Sequence, residues 1–228
     1  LQEMGKLSID DSVADYLSVE PFLSRPEITL KHLLSHSSGI PSMDAGMLGF
    51  TYTFDNFSSV YPATSREDFL AHIADASDYI IFKPGEKFFY NNDMYSCLSF
   101  IIEQITGMSF VAFVQQEILN PLDMTRAVFT QEGLDEDPEN NVMTGYRFEV
   151  ENKKRVARES DLPIGGYFPP RGGLYVSMNE MLHYAQCLMN GGEYNGVQLL
   201  SPESVAALFD GIISAPYGEG EDPKYALG

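Results

Sequence analysis

Apolar residues recur at helical spacing along most of the chain, and each such stretch opens on a residue suited to capping. Thr29 precedes Leu30, Leu33 and Leu34, and Gly39 follows them. Ser65-Arg66-Glu67-Asp68 is a capping-box-like start for a helix carrying Phe69, Leu70, Ile73 and Ala74. From Asp93 a strongly apolar helix runs through Leu98, Ile101, Ile102 and Ile105 to Gly107. Ser109 then caps a helix with Phe110, Phe113, Val114 and Ile118, which Pro121 ends. Ser177 and Glu180 form a capping box for a helix to Asn190, closed by Gly191 and Gly192. Ser201-Pro202-Glu203 opens the last helix, with proline at its first position. Ser12 to Tyr16 reads as one short helical turn.

Strand signals are fewer. Tyr146, Phe148 and Val150 alternate with polar residues, and Asn152-Lys153 turns the chain back, which predicts a hairpin near 144–157. The stretch 131–142 reads as an acidic loop, and Gly165-Gly166 and Gly172-Gly173 bracket a loop holding Pro169 and Pro170. The pattern predicts a mainly α chain with minor β structure.

Composition narrows the possible partners. The 228 residues carry 14 Lys and Arg against 33 Asp and Glu, a formal charge of −19. So acidic a surface repels phosphate backbones and anionic lipid heads, which argues against nucleic-acid and membrane-surface binding. No apolar run reaches the roughly 20 residues of a membrane helix. The two cysteines, Cys97 and Cys187, have no metal-like spacing and are too few for a disulfide scaffold. The chain opens on Leu1-Gln2-Glu3-Met4-Gly5, which reads as the last turn of a helix stopped by glycine. An excised segment of a longer chain is the expectation.

Candidate chemistry is sparse. His32 and His36 stand four apart, as in a zinc pair, but Leu33 occupies the place of the glutamate base and no third ligand is patterned. They are read as structural histidines hydrogen-bonded near a helix end, and no metal or other cofactor is predicted. The acidic run 135–139 lacks the alternation and central glycine of a calcium loop and is read as solvated. No Gly-x-Ser-x-Gly elbow occurs. The residues three before the seven lysines are Glu3, Ile28, Ile80, Pro84, Val150, Glu151 and Glu221, so no Ser-x-x-Lys pair occurs either. What remains is Phe88-Phe89-Tyr90-Asn91-Asn92, just ahead of the long apolar helix. A phenol there is either a packed aromatic or, beside an ammonium group, a proton shuttle. An amide two residues on can meet a substrate carbonyl.

Three segments together resemble one family, the class C type of serine β-lactamases and penicillin-binding proteins with their D-peptidases and esterases. Ile28-Thr29-Leu30-Lys31-His32-Leu33-Leu34-Ser35-His36-Ser37-Ser38-Gly39-Ile40 is similar to the family's "LLTHTSG" helix and turn. Lys83-Pro84-Gly85-Glu86-Lys87-Phe88-Phe89-Tyr90-Asn91-Asn92 resembles its "PG-x-x-F-x-Y-S-N", with Pro121-Leu122-Asp123-Met124 like "PLGM" further on. Gly172-Gly173-Leu174-Tyr175-Val176-Ser177 and Gly191-Gly192-Glu193-Tyr194-Asn195-Gly196 make the third segment. The likeness covers essentially the whole chain.

The resemblance implies acyl transfer in two steps, with Tyr90 and Asn92 matching the catalytic Tyr-x-Asn pair. Asn91 replaces the usual small residue between them without affecting either role. The nucleophile's Ser-x-x-Lys and the late Lys/His-x-Gly strand are absent from these residues. The expectation is that residues 1–228 are the central, helix-rich part of such a hydrolase domain, lacking most of its antiparallel sheet and inert alone. The implied substrates are small molecules or peptides (a β-lactam, a D-amino-acid peptide or an ester), and the implied location is periplasmic or extracellular. Apolar surface left uncovered invites dimerisation. The competing reading is a non-catalytic homologue that serves as a peptide- or partner-binding scaffold.

Overall fold

The structure is a computed structural model that describes residues 1–42, 65–160, 172–216 and 222–227. A short 3-10 turn, Val13–Asp15, leads to α1 (Leu30–Leu34), α2 (Arg66–Ala74) and α3 (Asn92–Thr106). After Gly107 come α4 (Phe110–Val114), prolonged by a wider turn over Gln115–Leu119, and α5 (Gln131–Asp135). The hairpin β1 (Gly145–Glu151) and β2 (Lys154–Ser160) precedes α6 (Met178–Met189). Next come β3 (Glu193–Tyr194), β4 (Val197–Gln198), α7 (Pro202–Phe209), β5 (Ile213–Ser214) and β6 (Lys224–Tyr225). Each consecutive strand pair forms its own antiparallel two-stranded sheet.

The expectation of a mainly α chain with minor β structure is corrected. Helix takes 38% and strand 14%, a mixed α and β architecture. The hairpin is longer than its alternation indicated, pairing Gly145 with Ser160 at its base. The β3–β4 and β5–β6 ladders escaped because two residues are too few to show a period of two. Within the acidic stretch, Gln131–Asp135 is a helical turn, since the Thr130 hydroxyl accepts the Gly133 N–H at 3.1 Å. Leu1 to Gly5 is a turn, with the Gly5 N–H on the Gln2 carbonyl at 2.9 Å. The loop at 165–170 lies outside the described residues.

Local chemistry accounts for the helices. Ser65, Ser109, Ser177 and Ser201 each accept a backbone N–H three residues on, at 3.0–3.3 Å. One cap departs from expectation. The Glu180 carboxylate leaves the Ser177 backbone and accepts the Arg126 N–H at 2.8 Å, tying α6 to the loop after Met124. Two apolar clusters then hold the elements. In one, α3 brings Met94, Cys97, Phe100 and Ile101 against Leu33, Phe69, Ile73 and Phe22. In the other, Leu119, Leu122 and Met124 meet Phe129, Cys187 and Tyr194. Both cysteines are buried and free.

A candidate active site at the start of α3

Two segments far apart in sequence are laced together by backbone where α3 begins. The Gly85 N–H donates to the Ser37 carbonyl at 2.8 Å, and the Phe89 N–H to the His36 carbonyl at 2.7 Å. Gly39, at φ +79°, lets the strands of this lacing approach: a β-carbon there would lie 2.3 Å from the Phe82 carbonyl oxygen. Only glycine fits that space and that backbone geometry.

Asn91 fixes the helix start. Its side-chain oxygen accepts the Asp93 and Met94 N–H groups at 2.9 and 3.1 Å, and its amide donates to the Ile40 carbonyl at 2.9 Å. It is therefore the N-cap of α3 and a buried tie to the 35–40 turn at once. The sequence reading gave this position no role. The available signal was an asparagine ahead of an apolar helical run.

His36 is the hub of the site. It follows the C-cap of α1, with a left-handed φ of 51°, so it does not share a helix face with His32. Its Nδ1 accepts the Asn91 N–H at 3.2 Å, which assigns the ring proton to Nε2. Aromatic rings surround it: Tyr90 at 4.2 Å between centroids, Tyr95 at 5.0 Å, Tyr225 at 5.3 Å and Phe88 at 5.9 Å. Burial pushes its pKa down to about 4, so the imidazole is neutral at neutral pH. His32 belongs elsewhere, accepting the Thr29 N–H at Nδ1 (3.0 Å) in the α1 capping box. Burial lowers its pKa first, and the neighbouring Lys31 charge second. Among the described residues, no three His, Cys, Asp or Glu side chains gather as a metal site.

Tyr90 lies over this hub, half-exposed, with the backbone on either side of it held by His36. Asn92 is the first residue of α3, half-buried, its carbonyl accepting the Ser96 hydroxyl at 3.0 Å. The two thus straddle the Asn91 anchor. Tyr95, one turn into α3, and Tyr225, on β6, complete the phenol cluster; Tyr225 was not anticipated, because only tertiary folding brings β6 here. Burial pushes Tyr95 up to about 12, and the neighbouring Tyr225 and Tyr90 charges add to it. Burial, then Tyr90, likewise raises Tyr225. The Tyr95 hydroxyl donates to the Leu227 carbonyl at 3.3 Å, seating the C-terminal residues against α3.

The site thus offers a half-exposed phenol at a helix start, backed by a buried neutral imidazole. The whole chain, residues 1–228, matches the Beta-lactamase family profile, and the chain belongs to that family. Penicillin-binding protein 4* of Bacillus subtilis is 27% identical over 68% of the chain and 32% of its own length. A candidate D-alanyl-D-alanine carboxypeptidase of Escherichia coli O157:H7 is 26% identical over 90% of the chain and 50% of its own length. Among solved structures, the octameric penicillin-binding protein homologue of Pyrococcus abyssi superposes with a TM-score of 0.84 at 28% identity. That match covers all of this chain and 48% of that one. The Streptomyces D-stereospecific amidohydrolase, at 21% identity and a TM-score of 0.70 over the whole chain and 64% of its own, shares the fold. The chain spans about half the length of the curated carboxypeptidase relative it matches. Among the described residues no single helix is long and apolar enough to cross a membrane.

Proposed function

We propose that residues 1–228 are the central part of a serine hydrolase domain and supply its Tyr-x-Asn element through Tyr90 and Asn92. The observation that carries this is the placement of Tyr90: half-exposed, ahead of α3, with both flanking peptide N–H groups fixed on His36. A neutral phenol is a poor base, and an adjacent lysine ammonium favours the phenolate. In this reading a serine outside residues 1–228 attacks the substrate carbonyl and its proton passes to the Tyr90 oxygen. The proton then moves to the departing amine or alcohol, leaving an acyl-enzyme. Water adds to that ester, its proton returns through Tyr90 to the serine oxygen, and the acid is released. Asn92 holds the substrate carbonyl side in place.

The names of the relatives support an amide bond in a D-amino-acid peptide as substrate, and a β-lactam or a simple ester belongs to the same proposal. Self-association through exposed apolar surface belongs to the same proposal; the Pyrococcus abyssi homologue is octameric by its description. The test is Tyr90→Phe in the full-length protein. The ring and its packing on His36 stay, so the melting temperature holds, while turnover falls about 10²–10⁴-fold. Wild-type kinetics would mean that Tyr90 is only a packed aromatic. The 228-residue chain alone, with no Ser-x-x-Lys, takes up no covalent β-lactam; a stoichiometric adduct by mass spectrometry would refute the assignment of the nucleophile elsewhere.

A further inference from the structure

The β1–β2 hairpin has two unlike faces. On one, Arg147 pairs with Glu149 at 2.9 Å and Arg158 bonds Glu151, while Glu149 and Val156 are half-buried. On the other, the cross-strand pairs are Val150 with Arg155, Phe148 with Ala157 and Tyr146 with Glu159. All six of these residues are exposed, with Tyr146 at 62%, Phe148 at 72% and Val150 at 75%. Neither Arg155 nor Glu159 makes an ion pair with the described residues. An aromatic stripe on a two-stranded ribbon, which is marginal without cover, is a surface awaiting a partner.

The order of groups on that face identifies the partner. Read from the turn to the base, one strand shows Val150, Phe148, Tyr146 and the other Arg155, Ala157, Glu159. A two-fold axis lying between two stacked copies, perpendicular to the strands and level with Phe148 and Ala157, makes this face complementary to itself. Phe148 meets Phe148 of the second copy and Val150 meets Tyr146. Arg155 of each copy lies over Glu159 of the other, and the small Ala157 side chains leave room for the rings. The alternative axis along the strands sets Arg155 over Val150 and leaves both charges unpaired. Overall charge points to the same place. Two molecules of charge −19 repel each other. The hairpin, however, carries five basic residues (Arg147, Lys153, Lys154, Arg155, Arg158) against three acidic ones, so it is where they can approach.

We propose that this protein self-associates as a two-fold dimer through the Tyr146–Phe148–Val150 face of the hairpin, with reciprocal Arg155–Glu159 pairs setting the register. This locates the self-association proposed above and does not depend on the Tyr90 chemistry. Covering the three apolar side chains buries roughly 400 Å² per copy, below the usual size of a stable interface, so the dimer is weak.

Sedimentation of the full-length protein across roughly 1 μM to 1 mM tests this. Wild type is expected to pass from monomer to dimer. Arg155→Glu or Glu159→Arg, each at an exposed position, sets like charges opposite one another twice and weakens dimerisation by roughly tenfold. The double swap Arg155→Glu with Glu159→Arg restores it. A protein that stays monomeric throughout overturns the proposal, as does a dimer indifferent to the single swaps or not rescued by the double one. In each of those outcomes the turnover of Tyr90→Phe still decides the catalytic reading separately.

Discussion

Replacing His36 by asparagine should flatten the acid limb of this protein's stability. His36 is buried among Tyr90, Tyr95, Tyr225 and Phe88, and its pKa falls from 6.5 to about 4 on folding. Above pH 6.5 the ring is neutral in both states and contributes no pH dependence. As pH falls from 6.5 towards 4, the unfolded chain binds a proton that the folded protein refuses, so stability is lost through this window. Below about 4 the folded ring is protonated as well, and the slope ends. At 1.36 kcal/mol per pK unit the loss is about 3 kcal/mol, a large part of an ordinary domain's stability. Protonation also adds a hydrogen to Nδ1, where the Asn91 N–H now points. The neighbouring Tyr95 and Tyr225 phenols are pushed up by burial and do not titrate in this range. Asparagine tolerates the φ of 51° and places an oxygen near the Nδ1 position, but it cannot ionise. Urea midpoints from pH 7 to pH 4 measure the effect. The variant starts less stable, having lost ring packing, and the gap from wild type closes by about 3 kcal/mol on acidification. His32 and the carboxylates titrate in both proteins and cancel in the difference. Parallel stability curves for the two proteins would show that His36 is not held neutral by burial.

Two other changes probe the same junction. Asn91→Ala removes the α3 cap and strands the Ile40 carbonyl, which should cost about 2–4 kcal/mol in urea denaturation; a loss below about 0.5 kcal/mol would mean the cap is not structural. Gly39→Ala drives a methyl into the Phe82 carbonyl at a left-handed φ, and should cost about 2 kcal/mol or more, read as a lowered melting temperature; an unchanged value would contradict the close approach.

Apart from Gln131–Asp135, the helices were legible because the information for each is local. A serine and an N–H three residues later suffice at Ser65, Ser109, Ser177 and Ser201, and the apolar stripe from Met94 to Ile105 marks α3 without reference to anything distant. The balance of helix and strand was misjudged, because β3–β4 and β5–β6 consist of two-residue partners that pair only once the surrounding chain has been positioned. Glu180 illustrates the same limit in a side chain. Its spacing from Ser177 suits a capping box, yet the Arg126 N–H, 54 residues away, takes the carboxylate.

What the amino-acid order determined on its own is the family, through contiguous motifs, and the adjacency of Tyr90 and Asn92 at a helix start. Motifs and caps act over a few residues, where backbone geometry leaves few alternatives. What only the tertiary structure decided is the setting of that tyrosine. The turn at 35–40, the segment at 85–91 and β6 converge on His36, and nothing in their separate sequences marks them as neighbours. Burial then lowers the imidazole pKa and raises those of Tyr95 and Tyr225, because the cost of charging a group depends on everything packed around it.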